Sequence, residues 1–575
     1  MADNAYQRNG TGYYRFKSLD DFLNGAAPEI VCLTYGYGGN NNPAARVQYN
    51  KAGIYAQDEW QMTPKFKLTY GLRLDGMFFN NSDLMTNNGI LNLDYNGRHV
   101  DTGKWPDNSL SVSPRVGFVY DVFGNKSLKV RGGTGLFQGR LPLVFFTNLP
   151  TNSGMVQSQA VINAKSTNPL TGEKKTDMNQ FAGLVVDKDG KPTAAALRDK
   201  LISMGYPANI KPEDGIAQTF SAVDSKFKLP QVWKTSLAVD YQFPVSFPLS
   251  MTLEGIFNKT LNAATLSDWS VQDASGFPRL NGADNRPIYP SGSQVGYHAY
   301  VLENTSRGYG WSFSAQVNAQ PWEWLNLMAA YTHTVSKEVT SLPGSNASSV
   351  LNYISTVYGP NNIKLHNGQN VTPDRIIASA TIHDKSNNHY SFIYEAWRGG
   401  YNYSYMMVND INADGYNYDA IYIPTDQQVA DNEFRFKTED DKTRFMDYVH
   451  NNSYLKNHQG EYAEAYSLYS PWVHRIDFSY KHDFKFDVAG HTNTIQLSFD
   501  MKNVLNFFNS SWGVMKYLNP EIGSDPRILR YEGYDKDGYA TFSTPKSING
   551  NTKTFVPNHA IGQCWYASVG LRYIF

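Results

Sequence analysis

An acidic loop carries the clearest metal-binding motif in the sequence. The segment DINADGYNYD, residues 410–419, alternates oxygen-bearing side chains and then supplies a glycine. This order matches the first half of a calcium loop, in which carboxylate and amide oxygens bind the ion and glycine permits a sharp turn. Ile421 stands where such a loop has its bidentate acid. The predicted Ca²⁺ ligands are therefore Asp410, Asn412, Asp414 and, as a substitute for that acid, Asp419. The alternative is an Asn/Asp/Gly hairpin turn that needs no metal.

Tyrosines flank this loop in two groups, at 401–405 and at 416–422. Their rings could stack on a sugar or a peptide, and on that basis Tyr401, Tyr403 and Tyr416 are the predicted ligand-binding residues. The alternative places such tyrosines at a membrane–water interface, where aromatic side chains form a girdle. The tryptophans beside one short turn, Trp311, Trp322 and Trp324, are predicted to be girdle residues.

Catalytic chemistry finds little support, and no catalytic residue is predicted. None of the histidines lies in a GxSxG, HExxH or paired-carboxylate context. His383, Asp384 and His389 surround a short turn and are expected to be solvated. The run RGGTG at 131–135 lacks the GK[ST] of a phosphate loop and is predicted to lie within a strand. We therefore expect a protein that is not an enzyme.

Composition excludes several other classes. The chain has 575 residues, a formal net charge of −1 and only two cysteines, so a nucleic-acid partner, a disulfide scaffold and a zinc module are not expected. No run of 18 apolar residues occurs, which argues against a transmembrane helix. The first residues, MADNAYQRNG, do not resemble a secretion signal.

The dominant pattern is an alternation of apolar and polar residues with period two. From Thr494, for example, Ile495, Leu497, Phe499 and Met501 alternate with polar or charged residues. Such strands have one apolar and one wet face, and the full charges on the wet face suit a water-filled lumen better than a dry core. Thirteen strands are predicted, at about 47–61, 66–79, 113–122, 127–138, 231–243, 250–260, 309–319, 325–335, 375–383, 390–397, 472–486, 494–507 and 562–575. A weaker fourteenth is predicted near 29–37.

The lengths of the connections favour one architecture. Short turns, such as 63–65 and 123–126, alternate strictly with long segments, such as 139–230 and 398–471. Outer-membrane barrels keep their turns short on the periplasmic side and their loops long outside. Short helices are predicted within the long segments at Ser18–Asn24, Thr193–Met204 and Thr438–His450. The fold class is therefore all-β, a transmembrane antiparallel β-barrel with long extracellular loops.

The last strand and several internal motifs resemble a known family. The chain ends in an aromatic residue, Phe575, as the terminal strands of outer-membrane barrels do. Five internal motifs add to this feature: YNKAGIYAQDEW at 49–60, LTYGLRLD at 68–75, SPRVGFVYD at 113–121, YLKNHQGEYAEA at 454–465, preceding PWVHRIDFSY, and FDMKNVLN at 499–506. In these motifs the sequence resembles TonB-dependent outer-membrane receptors of the SusC/Oar-like group.

The resemblance implies a barrel of about 22 strands with a plugged lumen. It implies uptake of an oligosaccharide, a peptide or a chelate, driven by TonB. We find no plug, TonB-contacting segment or signal, so residues 1–575 are interpreted as one barrel segment, about 14 strands of a larger barrel in the outer membrane. The expected partners are outer-membrane lipid, the TonB complex through the absent plug, and a surface lipoprotein. Two alternatives remain: a self-contained passive porin of 14 strands, and a barrel that anchors a surface glycan-binding or adhesion module.

Overall fold

The core of the fold is one antiparallel sheet of thirteen long strands. A computed structural model describes residues 2–4, 9–40, 43–339, 342–488, 490–523 and 525–575. Within these ranges the thirteen strands are β1 (Ala45–Thr63), β2 (Phe66–Asn80), β3 (Ser109–Asp121), β4 (Leu128–Gln138), β5 (Gln231–Gln242), β6 (Leu249–Asp268), β7 (Tyr309–Trp322), β8 (Leu325–Glu338), β9 (Asp374–His383), β10 (Asn388–Arg398), β11 (Val473–Val488), β12 (His491–Lys502) and β13 (Tyr566–Ile574). All thirteen predicted barrel strands are present. The predicted strand 494–507 ends at Lys502, because Val504–Phe508 is helical, and the predicted strand 562–575 begins at Tyr566.

Each strand pairs with the next one in sequence, and every ladder is antiparallel. Among the described residues no register joins β1 to β13, so these two are the edge strands of the thirteen. Ala2–Asn4 pairs with the first residues of β1, Ala45–Val47. Their side chains are correspondingly open: Ile54 on β1 is 71% exposed and Leu571 on β13 is 76% exposed.

The predicted alternation separates two chemically different faces. Leu253 pairs with Val239 on one side and Ala315 on the other, and Ala315 pairs with Tyr331. One residue along, Glu254 pairs with Ser314. Because successive side chains of a strand point to opposite faces, the sheet has an apolar outer face and a polar inner face.

The connections differ sharply in length at the two ends of the sheet. Two to six residues join the strands at one end: 64–65, 122–127, 243–248, 323–324, 384–387 and 489–490. At the other end the connections are 81–108, 139–230, 269–308, 339–373, 399–472 and 503–565. These long segments fold together with the residues before β1 into what we call the loop cap.

Short helices and strands build the loop cap. The helices are α1 (Leu19–Leu23), α2 (Asn88–Leu91), α3 (Leu143–Asn152), α4 (Ala194–Ser203), α5 (Ala347–Leu351), α6 (Asp426–Ala430), α7 (Glu439–Asn451), α8 (Ser453–Asn457) and α9 (Val504–Phe508), with 3-10 turns at Tyr37–Gly39, Met178–Phe181, Pro212–Asp214, Ala274–Gly276 and Ile561–Gln563. The short strands are Ala2–Asn4, Tyr13–Arg15, Ile30–Gly36, Gln157–Ile162, Phe220–Val223, Ala299–Thr305, His366–Asn367, Asn402–Tyr403, Met407–Val408, Tyr422–Ile423, Arg435–Phe436, Glu461–Tyr462, Leu468–Tyr469, Lys516–Leu518, Leu529–Tyr534, Ala540–Ser543 and Phe555–Pro557. The three predicted helices are confirmed as α1, α4 and α7.

The cap has hydrophobic cores of its own. The largest surrounds α7, where Phe445 and Val449 are fully buried against residues as distant in sequence as Leu529 and Ile423. Thr438 caps this helix, because its side chain accepts a hydrogen bond from the backbone N–H of Asp441. The cap is therefore a packed structure and not a set of independent loops.

One predicted strand lies outside the barrel sheet. The strand near 29–37 exists, as Ile30–Gly36, but it pairs with Tyr13–Arg15 and Gln157–Ile162 in a small sheet of the cap. Its residues are buried from Val31 to Gly36, on both faces. A strand buried on both faces has no need to alternate, which is why its run IVCLTYG shows no clear period of two. The assignment of this strand to the barrel was wrong.

No helix in the described part of the chain is long and apolar enough to cross a membrane.

Candidate functional site

The inner face of the sheet carries paired charges across neighbouring strands. Arg131 Nε on β4 lies 3.0 Å from Asp240 Oδ2 on β5, and Arg131 Nη1 lies 3.5 Å from Glu254 Oε1 on β6. Thr252 donates a second hydrogen bond to Asp240, at 2.8 Å. Farther round the sheet Lys502 and Asp477 pair at 2.8 Å. These side chains stay partly exposed, so the inner face offers charged contacts to whatever lies beside it.

Part of the inner face carries glycines in place of larger side chains. The run RGGTG lies within β4, as predicted, and Gly133 faces Gly117 of β3 in register. A Cβ atom on Gly133 would lie 3.0 Å from the carbonyl oxygen of Val116. Arg115 and Lys234 stand beside this shallow stretch, which encloses a groove of about 740 Å³. The glycines therefore line a shallow groove and do not form a phosphate loop.

The predicted calcium loop folds as a tight turn in the cap. Asp410 accepts hydrogen bonds from the backbone N–H groups of Asp414 and Gly415, at 3.3 and 2.9 Å. Asn412 Oδ1 accepts from the N–H of Asp414, and Asp414 Oδ1 accepts from the N–H of Tyr416 at 2.8 Å. Gly415 has a φ of 88°, the left-handed conformation for which the sequence provides a glycine. The oxygens of Asp410, Asn412 and Asp414 thus satisfy the loop's own backbone.

The fourth predicted ligand faces a cation of the protein. Asp419 Oδ1 lies 3.1 Å from Arg286 Nη1, and its Oδ2 accepts from the N–H of Ile411. Arg286 is fully buried and also binds both carboxylate oxygens of Asp284, at 2.9 and 2.8 Å, and the carbonyl of Ala420. In the described residues no group of three or more His, Cys, Asp or Glu side chains is arranged to hold a metal ion. The donor set therefore fits a hydrogen-bonded turn, while calcium binding stays a prediction.

Burial of these acids sets their charge state. Burial raises the pKa of Asp414 to about 7, and the nearby Asp410 carboxylate adds to the effect. Burial likewise raises the pKa of Asp410, although several backbone N–H groups oppose it. Burial also raises the pKa of Asp419, against the opposing charge of Arg286. The cluster therefore folds most favourably when it keeps a proton.

A pH prediction follows from Asp414. Its folded pKa of about 7 exceeds the ordinary value of 3.8, so between these values the folded state holds a proton that the unfolded chain has released. We expect the stability of the cap to fall as pH rises from about 4 to about 7, by at most about 1.4 kcal/mol per pH unit. This slope is measured by unfolding the cap in urea with a chelator present and using hydrogen exchange as the readout. Asp414→Asn should flatten it, whereas Asp431→Asn, on the exposed end of α6, should not; an equal slope in both variants would contradict the assignment.

Tyr416 is anchored inside the cap. Its hydroxyl donates to Asp268 Oδ2 at 2.7 Å, and the side chain is buried. Asp268, fully buried at the end of β6, also contacts His298 Nδ1 at 2.6 Å and accepts from Ser270. Contact between Tyr416 and a ligand stays a prediction. The hydrogen bond from Tyr416 to Asp268 connects the acidic loop to the end of β6.

The other two predicted ligand-binding tyrosines lie at the surface of the cap. Tyr401 is 46% exposed, and the centroid of its ring lies 5.0 Å from the ring centroid of half-buried Tyr403. Tyr403 in turn packs on Phe555 at 5.9 Å. Near the short-turn end, Trp322 and Trp324 stack at 5.2 Å and remain exposed, as girdle residues would. The structure therefore brings Tyr401 and Tyr403 together and separates them from Tyr416.

A cavity of about 470 Å³ lies in the cap beside the Arg286 cluster. Its lining includes Tyr358, Lys364, Glu464 and Tyr462, whose hydroxyl donates to Asp284 Oδ1 at 3.0 Å. Sequence reasoning missed this cavity, together with Arg286 and Asp268. The sequence carries little signal for these two residues, because Asp419 and Tyr416, which bind Arg286 and Asp268, lie more than a hundred residues away.

A comparison with protein families agrees with the fold. A family model described as "Outer membrane beta barrel domain" matches residues 2–513. No curated protein matches the chain. Among solved structures, the outer membrane transporter YddB from Escherichia coli is 11% identical, with 98% of this chain and 49% of that chain covered and a TM-score of 0.44.

Two further structures give similar figures. The FrpB iron transporter from Neisseria meningitidis is 10% identical, with 80% of this chain and 41% of that chain covered and a TM-score of 0.34. BauA, the ferric preacinetobactin receptor from Acinetobacter baumannii, is 9% identical, with 90% and 50% covered and a TM-score of 0.34. The chain thus spans at most about half the length of these three structures.

Proposed function

The chain belongs to the family of outer membrane beta barrel domains, and from this premise we propose that it is a wall segment of a TonB-dependent transporter of the SusC/Oar-like group. It lies in the bacterial outer membrane, and this fold points to a role other than catalysis. The observation that carries the proposal is the division of one sheet into an apolar outer face and a charged inner face, with a packed cap over one end only. This arrangement suits a wall that guides a polar cargo past lipid.

The number of strands supports a larger barrel. The direction of the chain reverses at each of the twelve connections from β1 to β13. Because twelve is an even number, β1 and β13 both run toward the short-turn end. If β1 and β13 were hydrogen-bonded to each other, they would form a parallel pair. A second copy of this chain, inserted in the same orientation, would also form parallel pairs where the two copies meet. An antiparallel closed barrel needs an odd number of additional strands between them. The family's barrel of about 22 strands would supply nine, and the family's plug would fill its lumen.

The resemblance to the SusC/Oar-like group and the charges on the inner face together indicate the class of cargo. We propose uptake of an oligosaccharide, a peptide or a chelate, with energy from the TonB complex acting on the plug. Tyr401 and Tyr403 are proposed to contact the cargo or a surface lipoprotein, since Tyr401 is exposed and its ring lies against that of Tyr403. The surrounding partner of the outer face is membrane lipid.

Uptake by cells that express the complete gene tests this proposal. We expect labelled oligosaccharide, peptide or chelate pools to yield a substrate whose uptake stops when tonB is deleted. Reversing the inner-wall charge with Arg131→Glu should lower uptake, while Lys165→Glu on an exposed loop should not. Uptake that persists without TonB would favour the passive porin, and binding without any uptake would favour the adhesion module; either result contradicts the proposal.

We also propose that the acidic loop binds Ca²⁺ after local rearrangement, because Asp410, Asn412 and Asp414 supply three oxygen donors on one turn. Adding Ca²⁺ to chelator-treated protein should raise the melting temperature of the cap. The double variant Asp410→Asn/Asp414→Asn should lose that rise. The same melting temperature with Ca²⁺ and with chelator would reject the site.

A further inference from the structure

Two histidines face each other on the inner wall at the short-turn end. His383 ends β9, and His389 lies near the start of β10, directly opposite it in register. Their Nδ1 atoms are 2.5 Å apart, and the two rings meet edge to face with centroids separated by 4.7 Å. The preceding and following residues, Ile382 and Tyr390, belong to the apolar outer face, so both imidazoles lie on the lumen side.

The backbone geometry explains why these side chains are so close. Asp384 N–H donates to the carbonyl of Asn388 at 3.0 Å and closes the turn, while His383 N–H donates to Trp324 on the other side. The two histidines are therefore a non-hydrogen-bonded pair, the position in an antiparallel ladder where facing side chains approach most closely.

A carboxylate on the next strand orients one of the rings. Asp483 Oδ2 on β11 lies 3.3 Å from His389 Nε2, and Asp483 Oδ1 accepts from Gln496 Nε2 at 2.7 Å. A carboxylate can only accept, so the neutral form of His389 carries its proton on Nε2 and presents a lone pair at Nδ1, toward His383. A histidine held by a carboxylate through one nitrogen, with the other free for a cation, is the common arrangement of metal-binding histidines.

From this geometry we propose that His383 Nδ1 and His389 Nδ1 bind a divalent transition-metal ion of the imidazole-preferring class, Cu²⁺, Ni²⁺ or Zn²⁺. Both rings are partly exposed to the lumen. For two nitrogens to bind one ion at about 2.0–2.1 Å they must separate to roughly 3 Å, a small ring movement. Asp483 is the positioning residue. Lys481, opposite His389 in register, is exposed, and its long side chain can extend away from the ion.

Two ligands leave the remaining coordination positions open. No third His, Cys, Asp or Glu side chain completes the set in the described ranges, so water or a donor group of a passing cargo would fill them. The site is thus suited to hold an ion reversibly at the mouth of the lumen. It is independent of how the barrel closes, because β9, β10 and β11 lie inside the sheet and away from both open edges.

Copper titration of the full chain in detergent tests the proposal. We expect one Cu²⁺ per chain by calorimetry, with an electron paramagnetic resonance spectrum that shows coupling to two nitrogens. His383→Ala and His389→Ala should each remove one nitrogen coupling and weaken binding by about tenfold or more. Asp483→Asn should keep both couplings and weaken binding by about 10- to 100-fold, as loss of an orienting partner does.

His491 provides a matched control. It is an exposed histidine at the neighbouring short turn of the same end, so His491→Ala should change neither the affinity nor the spectrum. Ni²⁺ and Zn²⁺ should displace Cu²⁺ from the wild type in competition. β-type circular dichroism equal to wild type shows that each variant is folded. Cu²⁺ binding that is unchanged in the double variant His383→Ala/His389→Ala, or absent from the folded wild type, would overturn the proposal.

Discussion

Replacing Arg286 with methionine is expected to destabilise the loop cap by about 3–5 kcal/mol, the usual cost of removing one partner from a buried ion pair. Arg286 is fully buried, and its guanidinium contacts Asp284 and Asp419, which are buried as well. The guanidinium carbon, Cζ, also lies over the ring of Tyr462, 5.4 Å from the ring centroid. Methionine would fill the space but leave the two acids without their cation. Hydrogen exchange and limited proteolysis of 399–472 should therefore report early opening of the cap, with the sheet intact.

Two variants separate charge from packing in this experiment. Arg279→Ala removes an exposed arginine of the same segment and should have little effect. Combining Arg286→Met with Asp284→Asn and Asp419→Asn removes the charges together, and a largely neutral replacement of this kind should recover part of the stability. If the triple variant were as unstable as Arg286→Met alone, lost packing and not unpaired charge would be the cause.

Placing arginine on the outer face of the sheet should be the second large effect. Ala315 lies in the middle of β7, between Leu253 and Tyr331 on the apolar face. A charged side chain facing lipid near the bilayer midplane costs about 2–4 kcal/mol. Ala315→Arg should lower the free energy of unfolding from a lipid bilayer by that amount, as measured by denaturant titration followed by tryptophan fluorescence.

The next residue supplies the control for that measurement. Gln316 points to the inner face, opposite Thr252, where water and charged side chains are present. Gln316→Arg should therefore cost little, although it introduces the same residue one position away. Equal costs for the two variants would mean that the two faces do not differ in their surroundings, and the barrel interpretation would fail.

The barrel strands were predictable from sequence because lipid and lumen impose opposite demands on alternate residues. This is why the predicted bounds of β5 and β9 differ from the structure by one residue or less. The prediction ended β6 near residue 260, but the strand continues to Asp268. Its last residues enter the cap, where several are buried and the alternation no longer applies.

The site could be predicted only where its residues are close in sequence. The turn at 410–415 was visible because one turn needs Asp, Asn and Gly within six positions. Its fourth member was not predictable, because Asp419 contacts Arg286 across 133 residues and the partner cannot be read from composition. The same holds for Tyr416 and Asp268, which are 148 residues apart. Helix α7 shows the opposite case, since its cap at Thr438 is local.

The two edge strands of the sheet have a consequence for biogenesis. Six of the twelve connections in the series are turns of two to six residues, so the strands that they join can pair at little entropic cost. The edge strands β1 and β13 expose apolar side chains such as Ile54 and Leu571. In the described residues only Ala45–Val47 of these two outer edges have a ladder partner, the strand Ala2–Asn4. In water such edge strands template association with other chains. Transit to the membrane should therefore depend on a chaperone that shields these apolar strands until lipid takes its place.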